Sequence, residues 1–378
     1  MELVVKRSDL LSNLQRAQGI VEKKTTMPIL NNVLMETTDN GLKIIATDLE
    51  VGIIEECNAE IKRGGSCTVM ARKLFEIVRE LSEREDIKLS VKENLFEISC
   101  GSSIFHLKIL PSEDFPSLPR FESLQSINIP SELLQDMIQK TIFSVSTDET
   151  RYNLTGVLVE MEERGENHVI RMVSTDGHRL SLCEREIAGG KCLDDLLIRE
   201  DKEKSDVILP RKGVIEMGRL VEDTEEIEFG IEKNNVIVRK DSISLMMRTI
   251  EGNFPDYRSV IPDDMDRIVT VDSQVLAESL RRMSILAAEK SKGVQFHFNK
   301  GSLTLSSSNP DLGDAQETID VNYEGEETQL RFNVRYLLEV LQILKGEVLI
   351  EFSGSLRPCL LKSKEDPNYL YVVMPMRM

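Results

Sequence analysis

Long hydrophobic runs are missing from this chain. None of its 378 residues falls in a stretch of 18 uncharged apolar residues, so no membrane-spanning helix is expected, and the opening MELVVKRSDLL lacks the apolar region of a signal peptide. A soluble, cytoplasmic protein is the expectation. Cysteine is sparse and unpatterned. The six thiols at 57, 67, 100, 183, 192 and 359 form no CxxC and keep no regular spacing to histidine, which supports neither a zinc site nor a disulfide framework. A nucleophile elbow, a P-loop, an HExxH and a Rossmann fingerprint are absent as well, so no catalytic residue, metal or cofactor is implied. Positive charge is in deficit. With 47 Lys and Arg against 65 Asp and Glu, the net charge is -18, which taken as a sum argues against binding nucleic acid.

What is present is a repeat. Each third carries an amphipathic helix signal, a hairpin ending in a short polar motif, a second helix, and a strand meander running into proline. The first helices share paired apolar positions: Leu10, Leu11 and Leu14; Leu133, Leu134 and Met137; Val275 and Leu276, continuing through Leu280 and Met283. Ser8 with Asp9, Ser131, and Asp272 with Ser273 stand where N-caps belong. The second helices repeat a broader face: Leu74, Phe75, Ile77, Val78 and Leu81; Val214, Ile215, Met217 and Val221; Leu337, Leu338, Val340, Leu341 and Leu344, with an acid in the same place at Glu76, Glu216 and Glu339. Between them, TTDNGLKIIATD, ERGENHVIRMVSTD and FNKGSLTLSSSNPD predict hairpins. Proline-bearing exits at Pro116, Pro119, Pro255 and Pro262 set boundaries near 122 and 256, giving α+β domains over 1–122, 123–256 and 257–378. A unit of this size suggests a closed ring.

Charge placement qualifies the charge sum. Basic residues gather on helices, among them Arg16, Arg72, Lys73, Arg79, Lys140, Arg211, Lys212, Arg219, Arg281, Arg282 and Arg335, while segments such as EIEFGIE and NYEGEE hold much of the acid. With helices on one side and sheets on the other, this predicts a basic inner face on an acidic body, able to track a phosphate backbone without reading bases. Two rival readings are an enzyme built on Asp176, His178 and Arg179, and an architectural ring that never touches DNA. The turn-like counterparts Thr47-Asp48-Leu49 and Asn309-Pro310-Asp311 oppose the first. Recurrence of the basic helices opposes the second.

Nine segments in order carry a resemblance: MPILNN, ATDLE, ARKLF, DFPSLP, RYNLTGVL, TDGHRL, LPRKGVIEM, FPDYRSVIP and the ending YVVMPMRM. Over essentially its whole length the chain resembles the bacterial DNA polymerase III beta subunit family, the sliding clamps. The resemblance implies the DNA clamp fold in a ring-forming head-to-tail homodimer, with helices inside and sheets outside. It implies a processivity factor that encircles double-stranded DNA without sequence preference, is placed there by a clamp loader complex, and tethers the polymerase III catalytic subunit, other polymerases and repair proteins.

The same resemblance implies three sets of site residues. Near DNA would be Lys24, Arg72, Arg151, Tyr152 and Lys212. A pocket for partner peptides with a short Gln-Leu-x-Leu-Phe-like motif would use Leu154, Thr175, Gly177, His178, Arg179, Leu180, Pro255, Val260, Val373, Met374, Pro375, Met376, Arg377 and Met378, an apolar and methionine-rich surface suited to varied ligands. The dimer contact would set Phe105 and Leu107 against Ile285 and Leu286 of a second copy.

Overall fold

A computed structural model describes the chain except residues 23–25, 120–125, 166, 189–205, 223, 290 and 378. The boundary expected near 122, Lys24 and Met378 therefore lie outside the described residues. Six helices are among those described: α1 (Arg7–Ile20), α2 (Ala71–Glu80), α3 (Ser131–Thr141), α4 (Arg211–Leu220), α5 (Ser273–Ser284) and α6 (Val334–Val340). They fall two to a repeat. Each first helix is preceded by a short strand that the repeat reading missed: Glu2–Val5, Ser126–Pro130 and Arg267–Asp272. Their signal is a period of two, with Leu3 and Val5, Ile127 and Ile129, and Val269 and Val271 all buried.

The helices bury narrower stripes than their sequences offer. On α1, Leu10, Leu14 and Ala17 are buried with Ile20. On α2, Leu74 and Val78 are buried while Phe75 and Ile77 stay half-buried. Helix α6 ends at Val340, sooner than its apolar pattern suggests, although Leu341 and Leu344 are still buried beyond it. Asp272 caps α5 as expected, accepting from the backbone N–H groups of Gln274 and Val275 at 2.9 Å each. The expected cap at Ser8 and Asp9 does not form. Helix α1 begins at Arg7, whose side chain donates to the carbonyls of Val78 (3.0 Å) and Arg79 (2.5 Å), satisfying acceptors at the end of α2.

The recurring helix acid meets three environments. Glu76 pairs with Arg72 and Lys73 at the surface. Glu216 is buried, and that burial raises its pKa against the pull of Arg219. Glu339 pairs with Arg179 and Arg335.

The described residues form two compact units. One holds residues 1–134 and 212–249; the other holds 135–188, 206–211 and 250–377. In the first, a thirteen-stranded antiparallel sheet takes nine strands from the first repeat and four from the middle one. The join is the ladder of Val51–Cys57 with Ile243–Arg248, in which Met247 faces Val51 and Met246 faces Gly52. In the second, an eight-stranded sheet takes the other four strands of the middle repeat and four of the last, joined where Arg179–Ala188 pairs with Tyr369–Val373. A four-stranded sheet completes that unit, with Gly313–Asp320 at one edge. The middle repeat is thus shared between two sheets, a pairing over long sequence distances that local patterns do not encode.

Candidate functional site

The second unit builds the partner-peptide candidate around a turn. Strand Asn167–Thr175 reverses into Arg179–Ala188 through Asp176, Gly177 and His178. Thr175 Oγ1 donates to the Arg179 carbonyl at 2.6 Å and accepts from the Gly177 N–H at 3.1 Å. Asp176 Oδ1 accepts from the N–H groups of His178 (2.9 Å) and Arg179 (3.1 Å). Gly177 sits at φ +86°, a left-handed backbone that favours glycine, and a Cβ there would stand 2.6 Å from Nη1 at the tip of the flexible Arg151 side chain.

Arg179 is the buried support of this turn. Only 6% exposed, it donates from Nε to Asp176 Oδ2 (3.1 Å) and from Nη2 to the Phe143 carbonyl (2.6 Å), and from Nη1 to Glu339. Its guanidinium lies over the rings of Tyr336 and Phe143. Burial works against its charge, but Tyr371 and Glu339 outweigh that and hold its pKa above the ordinary arginine value. The His178 ring stacks on Tyr336 with centroids 6.4 Å apart. Asp176 is directed at its own turn and at Arg179. Acid, base and cation are therefore engaged in holding a loop, which is not the arrangement of a proton-transfer site.

Below the turn lies an apolar cluster. Leu154 and Leu180, both expected, are buried with Leu158, Val173, Ile208, Ile250, Phe254, Tyr257, Leu360 and Val372. Val373 is fully buried in the ladder opposite Arg179, so it is framework and presents no surface. Val260 and Met374 are exposed, as are Gly177, His178, Pro255 and Arg377; Thr175, Pro375 and Met376 are half-buried. The tail is fixed by backbone bonds from Met374 N–H to the His178 carbonyl (2.9 Å) and from Met376 N–H to the Arg331 carbonyl (2.7 Å). Asn153 Nδ2 donates to the Asn253 carbonyl at 2.9 Å, tying the turn that carries Leu154 to the segment that carries Pro255. Exposed apolar side chains on segments that also supply a buried cluster, with a tail fixed by backbone bonds, are features that suit an extended peptide. Ile208, Ile250, Phe254, Tyr257 and Leu360 escaped the sequence reading. Phe254 and Tyr257 flank Pro255 in a quoted segment, and that was their available signal.

The candidate DNA residues differ in freedom. Arg72 is well exposed at the start of α2, with Nε 3.0 Å from Glu76. Lys212, on α4, is bound to Asp48 and donates to the Ile20 carbonyl at 2.5 Å. Arg151 donates to the Asp176 carbonyl at 3.2 Å, and Tyr152 beside it is exposed. Arg16, Arg219 and Arg282 are paired with Glu55, Glu216 and Glu317, which weakens the basic face expected of these helices.

The candidate dimer residues lie at open surface. Strand Ser103–Leu110 pairs along Ser103–Lys108 with one neighbour, while its other neighbour meets only Leu110 and Ile109. Among the described residues, 103–108 thus present a free edge bearing Phe105, exposed, and Leu107, half-buried. A hollow of about 480 Å³ beside Phe105 is lined also by Ile77 and Leu81. In the other unit, Ile285 follows α5 and is 74% exposed, with Leu286 half-buried. Among the described residues no group of three His, Cys, Asp or Glu is placed to hold a metal ion, and no helix is long and apolar enough to cross a membrane.

Comparison with known proteins agrees over the full length. Models of the N-terminal, central and C-terminal domains of the DNA polymerase III beta subunit match residues 1–119, 128–256 and 258–377. The beta sliding clamps of Caulobacter vibrioides and Escherichia coli are 36% and 33% identical, each alignment covering 100% of both chains. Among solved structures, Caulobacter crescentus pol III beta superposes with a TM-score of 0.91 at 35% identity, and a Pseudomonas aeruginosa sliding clamp bound to griselimycin with 0.89 at 31%, both covering 100% of each chain. With three repeats of one α+β plan and matches end to end, this chain belongs to the DNA polymerase III beta subunit family, the beta sliding clamps.

Proposed function

We propose that the chain acts as a homodimeric ring that encircles duplex DNA and tethers DNA polymerase and other replication and repair proteins through the site over Leu154 and Leu180. The carrying observation is the end-to-end match to three sliding-clamp domain models. The family is a processivity subunit, not a catalyst, and its work is topological. A closed ring slides freely yet raises the local concentration of whatever it carries. Weak contacts to phosphate favour such sliding, and exposed Arg72 suits that role. The griselimycin complex of the Pseudomonas aeruginosa relative supports a ligand-accepting pocket in this family.

Head-to-tail closure fits the free edge at Ser103–Lys108 and the edge strand Gly313–Asp320, with Ile285 of one copy seated in the hollow beside Phe105, Ile77 and Leu81 of the next. Domain boundaries near 122 and 256 are supported by models that end at 119 and 256. The polymerase III catalytic subunit and an ATP-driven clamp loader are the finer partners proposed, in the cytoplasm. The test is retention: protein loaded onto a circular plasmid should stay through gel filtration and be lost when the plasmid is linearised. Equal loss from circular and linear DNA would leave a scaffold that never encloses DNA.

A further inference from the structure

Each unit contains one joint between repeats, and both joints follow one plan. The strand after the polar turn of one repeat pairs antiparallel with the last strand of the next: Val51–Cys57 with Ile243–Arg248, and Arg179–Ala188 with Tyr369–Val373. The registers agree. Gly52 and Leu180, the ladder partners of Thr47 and Thr175, meet Met246 and Val372. Two strands of the same kinds are left over: Gly313–Asp320, after the polar turn of the last repeat, and Ser103–Leu110, the last strand of the first.

Internal marks fix which residue of these spare strands holds which place. Asn309 Oδ1 accepts from Asp311 N–H at 3.0 Å, as Asp48 Oδ1 accepts from Glu50 N–H at 2.9 Å. Glu55 lies opposite Ile44 and pairs with Arg16 of α1; Glu317 lies opposite Leu305 and pairs with Arg282 of α5, so Glu317 holds the place of Glu55. Hairpins with the same two-residue turn, Gly101 and Asp241 standing at φ +57° and +50°, put Ser103 in the place of Ile243. Counting along the strands, Phe105 takes the place of Leu245 and Ala315 that of Ile53, while His106 takes the place of Met246 and Asp314 that of Gly52. Ile53, Glu55 and Leu245 are buried at their joint; on the spare strands Phe105, His106 and Asp314 are exposed, and Ala315 and Glu317 half-buried.

One place differs in chemistry. Met246 with Gly52, and Val372 with Leu180, are apolar, whereas the matching positions of the spare strands hold an imidazole and a carboxylate. His106 Nε2 lies 3.2 Å from Glu97 Oε2 on the neighbouring strand, and Lys92 holds Glu97 at 2.8 and 2.9 Å. That contact orients the ring on its face of the strand, with Nδ1 as its other bonding atom.

We propose that a second copy of this chain closes the ring by an antiparallel ladder in the register of the two internal joints, setting Ser103 opposite Glu317, Phe105 opposite Ala315, and His106 opposite Asp314 as the polar pair that selects that register. The inference rests on reading the chain as a head-to-tail ring. Residues directly opposite in a ladder hold their Cβ atoms about 4.5–5.5 Å apart, within reach of an imidazole and a carboxylate. A slip by one residue turns Phe105 to the wrong face, and a slip by two sets His106 opposite Leu312 or Gln316, neither of which offers a carboxylate.

The test uses the full chain. Sedimentation equilibrium should show a dimeric parent, association at least about tenfold weaker for Asp314→Lys, and affinity within about threefold of the parent when His106→Glu is added, because opposite charges then face each other again. Both positions are exposed, and circular dichroism checks that the variants are folded. Cysteine pairs read the register. Oxidation of a chain carrying Ile104→Cys and Gln316→Cys should link two copies, since opposite positions lie inside the limit of about 7 Å between Cα atoms for a disulfide; Ile104→Cys with Thr318→Cys, on the diagonal, should link at least about tenfold more slowly. The parent and the single-cysteine variants give the background from native thiols. With a dimeric parent, faster linking of the diagonal pair, undiminished association of Asp314→Lys, or no rescue by His106→Glu would overturn the proposal and leave the ring reading intact. A parent that stays monomeric at every concentration would overturn both.

Discussion

The Arg179 guanidinium lies 4.5 Å from the ring centroid of Tyr336 while its Nε bonds Asp176, three residues back, at 3.1 Å. One cation thereby clamps the turn and helix α6 together. Arg179→Ala removes the partner of Asp176 Oδ2 and leaves Glu339 with Arg335 alone beside a buried gap, and should lower unfolding stability by about 3 kcal/mol. Arg179→Lys should recover only part of this, because an ammonium cannot reproduce the planar fork. Urea denaturation followed by circular dichroism measures both.

Gly177→Ala should weaken partner binding through the turn. The added methyl meets Arg151 Nη1, and the left-handed backbone is strained by about 1 kcal/mol with a side chain. Peptide anisotropy should show several-fold weaker affinity, with a smaller loss of thermal stability. Unchanged affinity would mean that the turn does not shape the site.

Val260→Asp and Met374→Asp should abolish Gln-Leu-Ser-Leu-Phe binding and leave the melting temperature nearly unchanged. Both side chains are exposed, so stability effects should stay within about 0.5 kcal/mol, while a carboxylate in an apolar cleft opposes ligand burial. Calorimetry with and without peptide separates the two.

Arg72→Glu and Lys212→Ala should part company. Arg72 is an exposed surface cation, so its reversal should reduce retention on circular DNA with little change in stability. Lys212 is held by Asp48 and the Ile20 carbonyl, and its removal should also cost about 1–3 kcal/mol of folding stability. Equal stability of the two variants would contradict the observed bonding.

Asp366→Asn gives a pH signature. Burial raises the Asp366 pKa, but hydrogen bonds from Lys140 (2.5 Å) and Arg185 (2.7 Å) outweigh it and leave the group below its reference 3.8. A depressed carboxylate contributes stability that is present above the unfolded-state pKa and lost as pH falls through the folded value. The variant should therefore be less stable than the parent at neutral pH by about 1–2 kcal/mol, with the gap closing only as pH drops below 3.8. Urea midpoints across pH 3–8 test this.

Local features were legible in the sequence because neighbours along the chain determine them. The Thr-Asp turns, the hairpins and the helix stripes all follow from short spacing. Leu154 and Leu180 came through resemblance. Ile208, Ile250 and Leu360 did not, since they reach the same cluster from segments far apart in sequence, where no periodicity links them. The roles of Lys212 and Arg179 were likewise hidden: a basic residue on a helix or at the start of a strand reads as surface charge until its partners Asp48 and Glu339 are seen.

The ladder between Val51–Cys57 and Ile243–Arg248 also sets a timetable. During synthesis the first strand emerges roughly 190 residues before its mate, about 10–40 s earlier at ordinary elongation rates. Through that interval Val51 and Ile53 lie on an unpaired edge of the nascent sheet, open to pairing with another chain. Glu56, exposed at the far end of the same strand, places a carboxylate on that edge while it waits, and like charges on neighbouring nascent chains keep such edges apart.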